Sequence, residues 1–390
     1  MAATRILTTH VGSLPRPPDL VELLRERHAG RAIARDVFDA AVAAAVADVV
    51  KMQVEAGIDI VNDGEMSKVS YSYYVQERLQ GLSPAADAEM SGVALRIFQS
   101  IETVDPAFPD FAAAFRALGR GPDSAAPPVG TGPLVYAGSQ DVALDLANLQ
   151  QAARIAGAAR TFMTAASPGV IAMFASRTSH YQTEDDYVFA LADAMRVEYE
   201  AIHRAGVMLQ VDCPDLALAP HMNYQGSEPD FHRIVARNIE ALNHATSNIP
   251  PAAMRVHLCW GNYPGPHVRD LEVRHLFAHL RKLRARAVSF EGANPRHEHE
   301  WEDWRDGGLP DDMVVIPGVI DSTTNFVEHP RLVAQRILNY ARIFGADRVI
   351  AGVDCGFGTF ATQGLRSFPT IVSAKLSALA EGAAIASRLL

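Results

Sequence analysis

Short β-branched runs recur along this chain of 390 residues, each followed by apolar residues at helical spacing, and this alternation restricts the fold more than any other feature. The runs centre near residues 6, 59, 162, 209, 257, 289, 316 and 351. Helical sequence covers 36–56, 141–158, 184–204, 230–244, 268–281, 330–344 and 367–389, with shorter helical segments at 71–79 and 297–304. Eight βα units in this length predict an α/β protein built as a closed (β/α)8 TIM barrel, although an open, doubly wound sheet shares the alternation. The barrel is favoured because polar residues gather where the strands end: Ser13, Glu65, Asp212, His257, Cys259, Glu291, Asp321 and Cys355. Barrel enzymes place their chemistry on that face.

One stretch breaks the pattern. About 81–139 is rich in Ala and Pro, and reads as an insertion after the second strand with a short helix near 112–118 and one hairpin. It is too long for an ordinary connection, so an excursion over a site is expected. The charged residues after the turn Gly12-Ser13-Leu14-Pro15-Arg16-Pro17 are assigned no element before residue 36. No linker divides the chain, so 1–390 is expected to be a single barrel domain.

A formal net charge of -10 argues against nucleic acid and anionic membrane as partners. No apolar run approaches the roughly 20 residues of a spanning helix, and the first residues lack an apolar signal core, so a cytoplasmic location is expected. A homo-oligomer is compatible with the sequence. Cys213, Cys259 and Cys355 are too few for a disulfide framework.

Their placement matters more than their number. In the extended segment Met254-Arg-Val-His-Leu-Cys-Trp-Gly-Asn262, residues i and i+2 share a face, so His257 and Cys259 present an imidazole and a thiol together. Alone, such a pair is more often a buried strand with a small apolar Cys. If the barrel closes, Glu291 and Cys355 reach the same point, and one nitrogen, two sulfurs and one carboxylate oxygen make a four-coordinate Zn2+ set. The carboxylate is the ligand most easily displaced, which leaves a position for a thiol substrate. His297 and His299 form a rival metal pair, while Asp354, on the opposite side of its strand from Cys355, reads as structural.

Five segments, Thr8-Thr-His-Val-Gly-Ser-Leu-Pro-Arg16, Gly57-Ile-Asp-Ile-Val-Asn-Asp-Gly-Glu65, Leu209-Gln-Val-Asp-Cys-Pro214, His257-Leu-Cys259 and Asp354-Cys-Gly356, resemble the catalytic barrel of the cobalamin-independent methionine synthases and its single-barrel relatives. The resemblance implies zinc held by His257, Cys259, Glu291 and Cys355. It also implies an amino-acid thiol such as homocysteine, bound by Val11, Gly12 and Ser13 and by the acids Glu65 and Asp212, and methylated by a small-molecule alkyl donor. Amide and hydroxyl donors suit a carboxylate, and carboxylates suit an ammonium.

Two departures stand out. Asp212-Cys213-Pro214 replaces the family's Asp-Glu-Pro, and Asp321-Ser322-Thr323 replaces an Asp-x-His that supplies a proton-handling His. His10 and Asp321 are therefore the candidates for that role. A second branch is similar to epoxyalkane:coenzyme M transferases, in which a zinc thiolate opens an epoxide; a sulfonate would call for cations, and Arg16, Lys68 and Arg177 are available. Trp260, Tyr73 and Tyr74 are candidate pocket-lining residues. A zinc-binding barrel without catalysis is the remaining reading.

Overall fold

A computed structural model of the chain describes residues 5–84, 108–111, 113, 128–177, 180–218, 228–359, 361 and 368–390. Eleven strands appear among them, numbered in chain order: β1 (Leu7–Thr8), β2 (Ile60–Val61), β3 (Leu79–Pro84), β4 (Pro128–Tyr136), β5 (Arg160–Ala166), β6 (Ser176–Arg177), β7 (Met208–Asp212), β8 (Met254–His257), β9 (Ala287–Phe290), β10 (Val314–Pro317) and β11 (Ile350–Ala351). Six pair in parallel in the order β10-β9-β8-β7-β5-β2, and β1 pairs in parallel with β11. Bridges from Thr9 to Ile60 and from Val315 and Gly318 to Val349 and Gly352 join these two sheets at both edges. The ring therefore closes with eight parallel strands, at the eight positions where strands were expected.

Closure buries the strands on both faces: Met208–Asp212 is buried from Leu209 onward and Val256, Val288 and Val315 are fully enclosed, with Thr164, Gln210, Arg255, His257 and Ser289 as buried polar members. The largest of these polar side chains spans the interior. Arg255 donates to Gln210 Oε1 (2.7 Å), Thr9 Oγ1 (2.9 Å) and the His10 carbonyl (2.8 Å), and lies 3.6 Å from the centre of the Phe162 ring. These bonds connect β8 to β7 and to the segment after β1.

The helices begin and end where local chemistry dictates. Glu184–Arg204 starts on Thr183, whose hydroxyl caps Asp186 N–H while the Asp186 carboxylate returns to Thr183 N–H. Pro330–Phe344 starts at proline and stops before Gly345. Two expectations are corrected. Pro18–His28, assigned no element from sequence, is a helix with only Leu20 and Leu24 fully buried. Over 268–281 the expected helix is reduced to a 3-10 turn, Val273–His275, and a short helix, Phe277–Leu280. Glu300 explains the loss, because its carboxylate accepts the Val273 N–H at 3.0 Å and His267 has a positive φ of 53°. Likewise 71–79 keeps only the turn Val75–Arg78, and 297–304 is the 3-10 segment Glu298–Arg305. The expected hairpin is present as antiparallel β3 and β4, with β6 added alongside β4. The short helix expected near 112–118 lies mostly outside the described residues.

Candidate metal and thiol site

Strand alternation turns His257 and Cys259 to the same side, and the segment after β11 brings Cys355 to meet them. The ligand atoms of His257, Cys259 and Cys355 lie within 4.8 Å of one another, and all three residues are buried. Cys259 Sγ is 3.5 Å from Cys355 Sγ. Both ring nitrogens of His257 are buried without a hydrogen-bond partner. Leaving a buried polar group unpaired costs about 1–3 kcal/mol, so two such atoms beside two thiols fit a divalent ion with an imidazole and two sulfur donors. Burial, with Arg255 nearby, lowers His257 to about 3, which keeps the ring neutral as a ligand must be.

Glu291, at the exit of β9, adjoins this triplet without belonging to it. Its Oε1 accepts Trp260 N–H and its Oε2 accepts Asn294 Nδ2, both at 2.8 Å. Burial and the neighbouring Cys259 push its carboxyl well above the ordinary range.

The remaining candidates gather on the β1, β2, β5 and β7 side. Gly12 has a φ of +142°, and a Cβ there would lie 2.6 Å from Thr164 Cγ2 and 3.0 Å from Glu65 Oε1, so the main chain passes against the Glu65 carboxylate where only glycine fits. A Cβ on Gly356 would collide with Ser13 Oγ, which places that hydroxyl one residue from Cys355. Glu65 itself sits at a φ of 58°. Its Oε1 accepts the Thr164 hydroxyl at 2.9 Å, while Oε2, 3.8 Å from Arg16 Nη2, has no hydrogen-bond partner. Asp212 accepts from Gln210 Nε2 at 2.7 Å, and burial together with Glu65 raises its pKa well above the usual value. Two carboxyl groups thus share one enclosed space. Val11 lends its carbonyl to Gln210.

Other candidates are committed within the fold. Arg16 donates to the carbonyls of Glu65 (2.8 Å), Lys68 (2.9 Å) and Gly358, and Lys68 Nζ donates to the Thr164 carbonyl (2.6 Å) beneath the Tyr74 ring. Arg177 pairs with Glu184 and the Tyr181 carbonyl. His10 Nε2 meets Gln53 Oε1 at 2.7 Å and its Nδ1 accepts Gly12 N–H; burial lowers its pKa to about 4. Asp321 Oδ1 caps Thr323 through its N–H and hydroxyl, each at 2.7 Å. His297 lies between Asp270 and Glu300, 3.0 Å from each. Burial opposes its charge, yet those two carboxylates lift it to about 10, so it is an imidazolium rather than a metal ligand. Residues not singled out from sequence also reach the site. Gln210 was discoverable, being two positions from Asp212 on one strand face, whereas Asn294 was not, since its role depends on a carboxylate 60 residues away.

The fold and the donor cluster define a closed parallel α/β barrel with a nitrogen- and sulfur-bearing site at its strand exits. The family described as the cobalamin-independent synthase catalytic domain matches residues 6–100. A methionine synthase of Sulfolobus acidocaldarius is 25% identical over 356 residues, covering 90% of this chain and 86% of its own. An uncharacterized Bacillus subtilis protein is 24% identical over 369 residues, with coverage of 90% and 86%. A B12-independent methionine synthase from Shewanella sp. W3-18-1, solved with selenomethionine, shares the fold at a TM-score of 0.70 and 18% identity, covering 99% of this chain and 98% of its own. A putative counterpart from Listeria monocytogenes gives 0.65 at 17% identity, covering 98% of each chain. The chain is thus similar in sequence and in fold to the cobalamin-independent methionine synthases. Among the described residues no helix is long and apolar enough to cross a membrane.

Proposed function

We propose that this protein is a zinc-dependent methyltransferase whose acceptor is an amino-acid thiol, homocysteine or a close analogue. The observation that carries the proposal is the orphaned imidazole of His257 beside the Cys259 and Cys355 sulfurs, with Glu291 as neighbour. His257, Cys259 and Cys355 would hold the ion, with Glu291 as exchangeable fourth ligand; a bound zinc lowers the pKa of a substrate thiol so that a thiolate is available at neutral pH.

The rest is done by the chain. Glu65 Oε2, which accepts no hydrogen bond, and the adjacent Asp212 carboxyl offer acceptors for an ammonium, and the Ser13 hydroxyl offers a donor for a carboxylate, since the Gly12 N–H is already given to His10 Nδ1. Anchored at both groups, the acceptor would direct its sulfur toward the cysteine pair. Attack forms the new S–CH3 bond while the donor departs with the electron pair of its broken bond to methyl. Paired acids favour an amino acid over a sulfonate-bearing thiol, because Arg16 and Lys68 already serve main-chain carbonyls.

Metal analysis and parallel assays with L-homocysteine test the reading, using methylfolate, methylcobalamin and a small epoxide as alkyl donors. About one equivalent of zinc is expected, with methyl transfer that disappears together with the metal in Cys259→Ala. A zinc-free parent, or alkylation only from the epoxide, would overturn it.

A further inference from the structure

The carboxylate of Glu291 is held by parts of the chain that adjoin both cysteines. Trp260, whose N–H binds Oε1, directly follows Cys259. Asn294, whose amide binds Oε2, is in turn bound by Asp354, the residue before Cys355, at 3.2 Å. Asp354 further accepts the N–H groups of Gly292, Ala293 and Asn294, each at 2.8 Å, so one buried carboxylate from the β11 exit pins the whole turn after β9. Space for it is made by Gly318, where a Cβ would collide with the Asp354 carboxylate.

The Asn294 amide has only one workable orientation. Its Oδ1 accepts the N–H groups of Arg296 (3.0 Å) and His297 (3.1 Å), leaving Nδ2 facing the carboxylates of Glu291 and Asp354. Rotating the amide would set its oxygen against two carboxylates and strand both N–H groups. The donor presented to Glu291 is therefore fixed before any ligand arrives.

We propose that Asn294 and Asp354 are positioning residues for Glu291, holding its carboxylate on protein donors at the edge of the His257, Cys259 and Cys355 triplet. This keeps a competing oxygen ligand in check and sets how tightly a thiol can engage the metal. The inference rests on the zinc-thiol reading above.

Cobalt-substituted protein titrated with L-homocysteine, followed by visible absorption, tests both levels. Asn294→Ala is expected to retain the metal but to weaken homocysteine binding about tenfold, in the range usual for groups that orient metal ligands. Asp354→Asn, with folding checked by circular dichroism, is expected to act in the same direction. In a Glu291→Gln background, Asn294→Ala should change nothing further, because no competing carboxylate remains. A parent-like titration of Asn294→Ala, or an equal loss in both backgrounds, overturns the positioning role while leaving the thiol reading intact. A parent whose cobalt spectrum ignores homocysteine overturns the thiol reading, and this inference with it.

Discussion

Two buried polar clusters in this barrel treat their charged atoms in opposite ways. Beside the hairpin, Glu198 Oε1 accepts the Tyr74 hydroxyl (2.6 Å), while its Oε2 accepts Tyr136 (2.5 Å) and Arg78 Nη1 (3.3 Å). Arg78 Nη2 reaches Asp145 at 2.5 Å, and its guanidinium lies over the Tyr74 ring. That cluster satisfies itself. At the strand exits, by contrast, both His257 nitrogens and Glu65 Oε2 are buried with no hydrogen-bond partner. Buried polar atoms are almost always paired, so self-sufficiency marks a structural joint and an opening marks a place for a ligand.

The largest effect expected from this contrast is on stability. Glu198→Ala would remove the shared acceptor of two buried tyrosine hydroxyls and one of the two carboxylates that face Arg78, which by analogy with broken buried pairs costs about 3–5 kcal/mol. Urea denaturation reads it directly, and zinc content per folded molecule should not change, because the cluster lies on the hairpin and on the helices 139–156 and 184–204. A loss below about 1 kcal/mol would show that the cluster is not the joint described here.

Much of this arrangement was legible in the chain, and what was not shares a physical cause. Strand positions follow from local runs, and the helices 184–204 and 330–344 follow from apolar spacing with the bounds that the structure shows, where Thr183 and Pro330 start them. The convergence of His257, Cys259 and Cys355 followed from strand period and barrel closure together. Features made by distant partners were hidden. Val273 leaves a helical pattern because Glu300 takes its N–H, Asn294 is oriented by Asp354, and Arg78 finds Glu198 120 residues further on. Helix 18–28 is hidden for a different reason: only Leu20 and Leu24 are fully buried among charged neighbours, too few to set a helical period.

Glu65→Gln sharpens the contrast from the ligand side. Glutamine keeps an oxygen for the Thr164 hydroxyl but removes the charge expected to meet an ammonium, so the KM for an amino-acid thiol should rise about 10- to 100-fold. Arg16, 3.8 Å from Oε2, loses its counter-charge but keeps its bonds to the Glu65 and Lys68 carbonyls, so the stability loss should stay below the roughly 3 kcal/mol of a fully broken buried pair. Steady-state kinetics beside thermal melts would separate these outcomes, and an unchanged KM would remove Glu65 from substrate recognition.

The smallest effect is the most diagnostic, because its sign depends on whether metal is present. In zinc-free protein the His257 ring occupies the interior with neither nitrogen paired, so His257→Leu, close in volume and free of polar atoms, should raise stability by about 1–2 kcal/mol. Adding zinc should then reverse the order. The parent gains stability by linkage with a ligand that binds only the folded state, whereas the variant, reduced to two sulfur donors and a carboxylate, gains much less. Chemical denaturation with and without chelator measures all four states. If the zinc-free variant is instead less stable than the zinc-free parent, the imidazole has a structural partner, and the strand exits would belong with the Arg78 cluster as a self-satisfied joint.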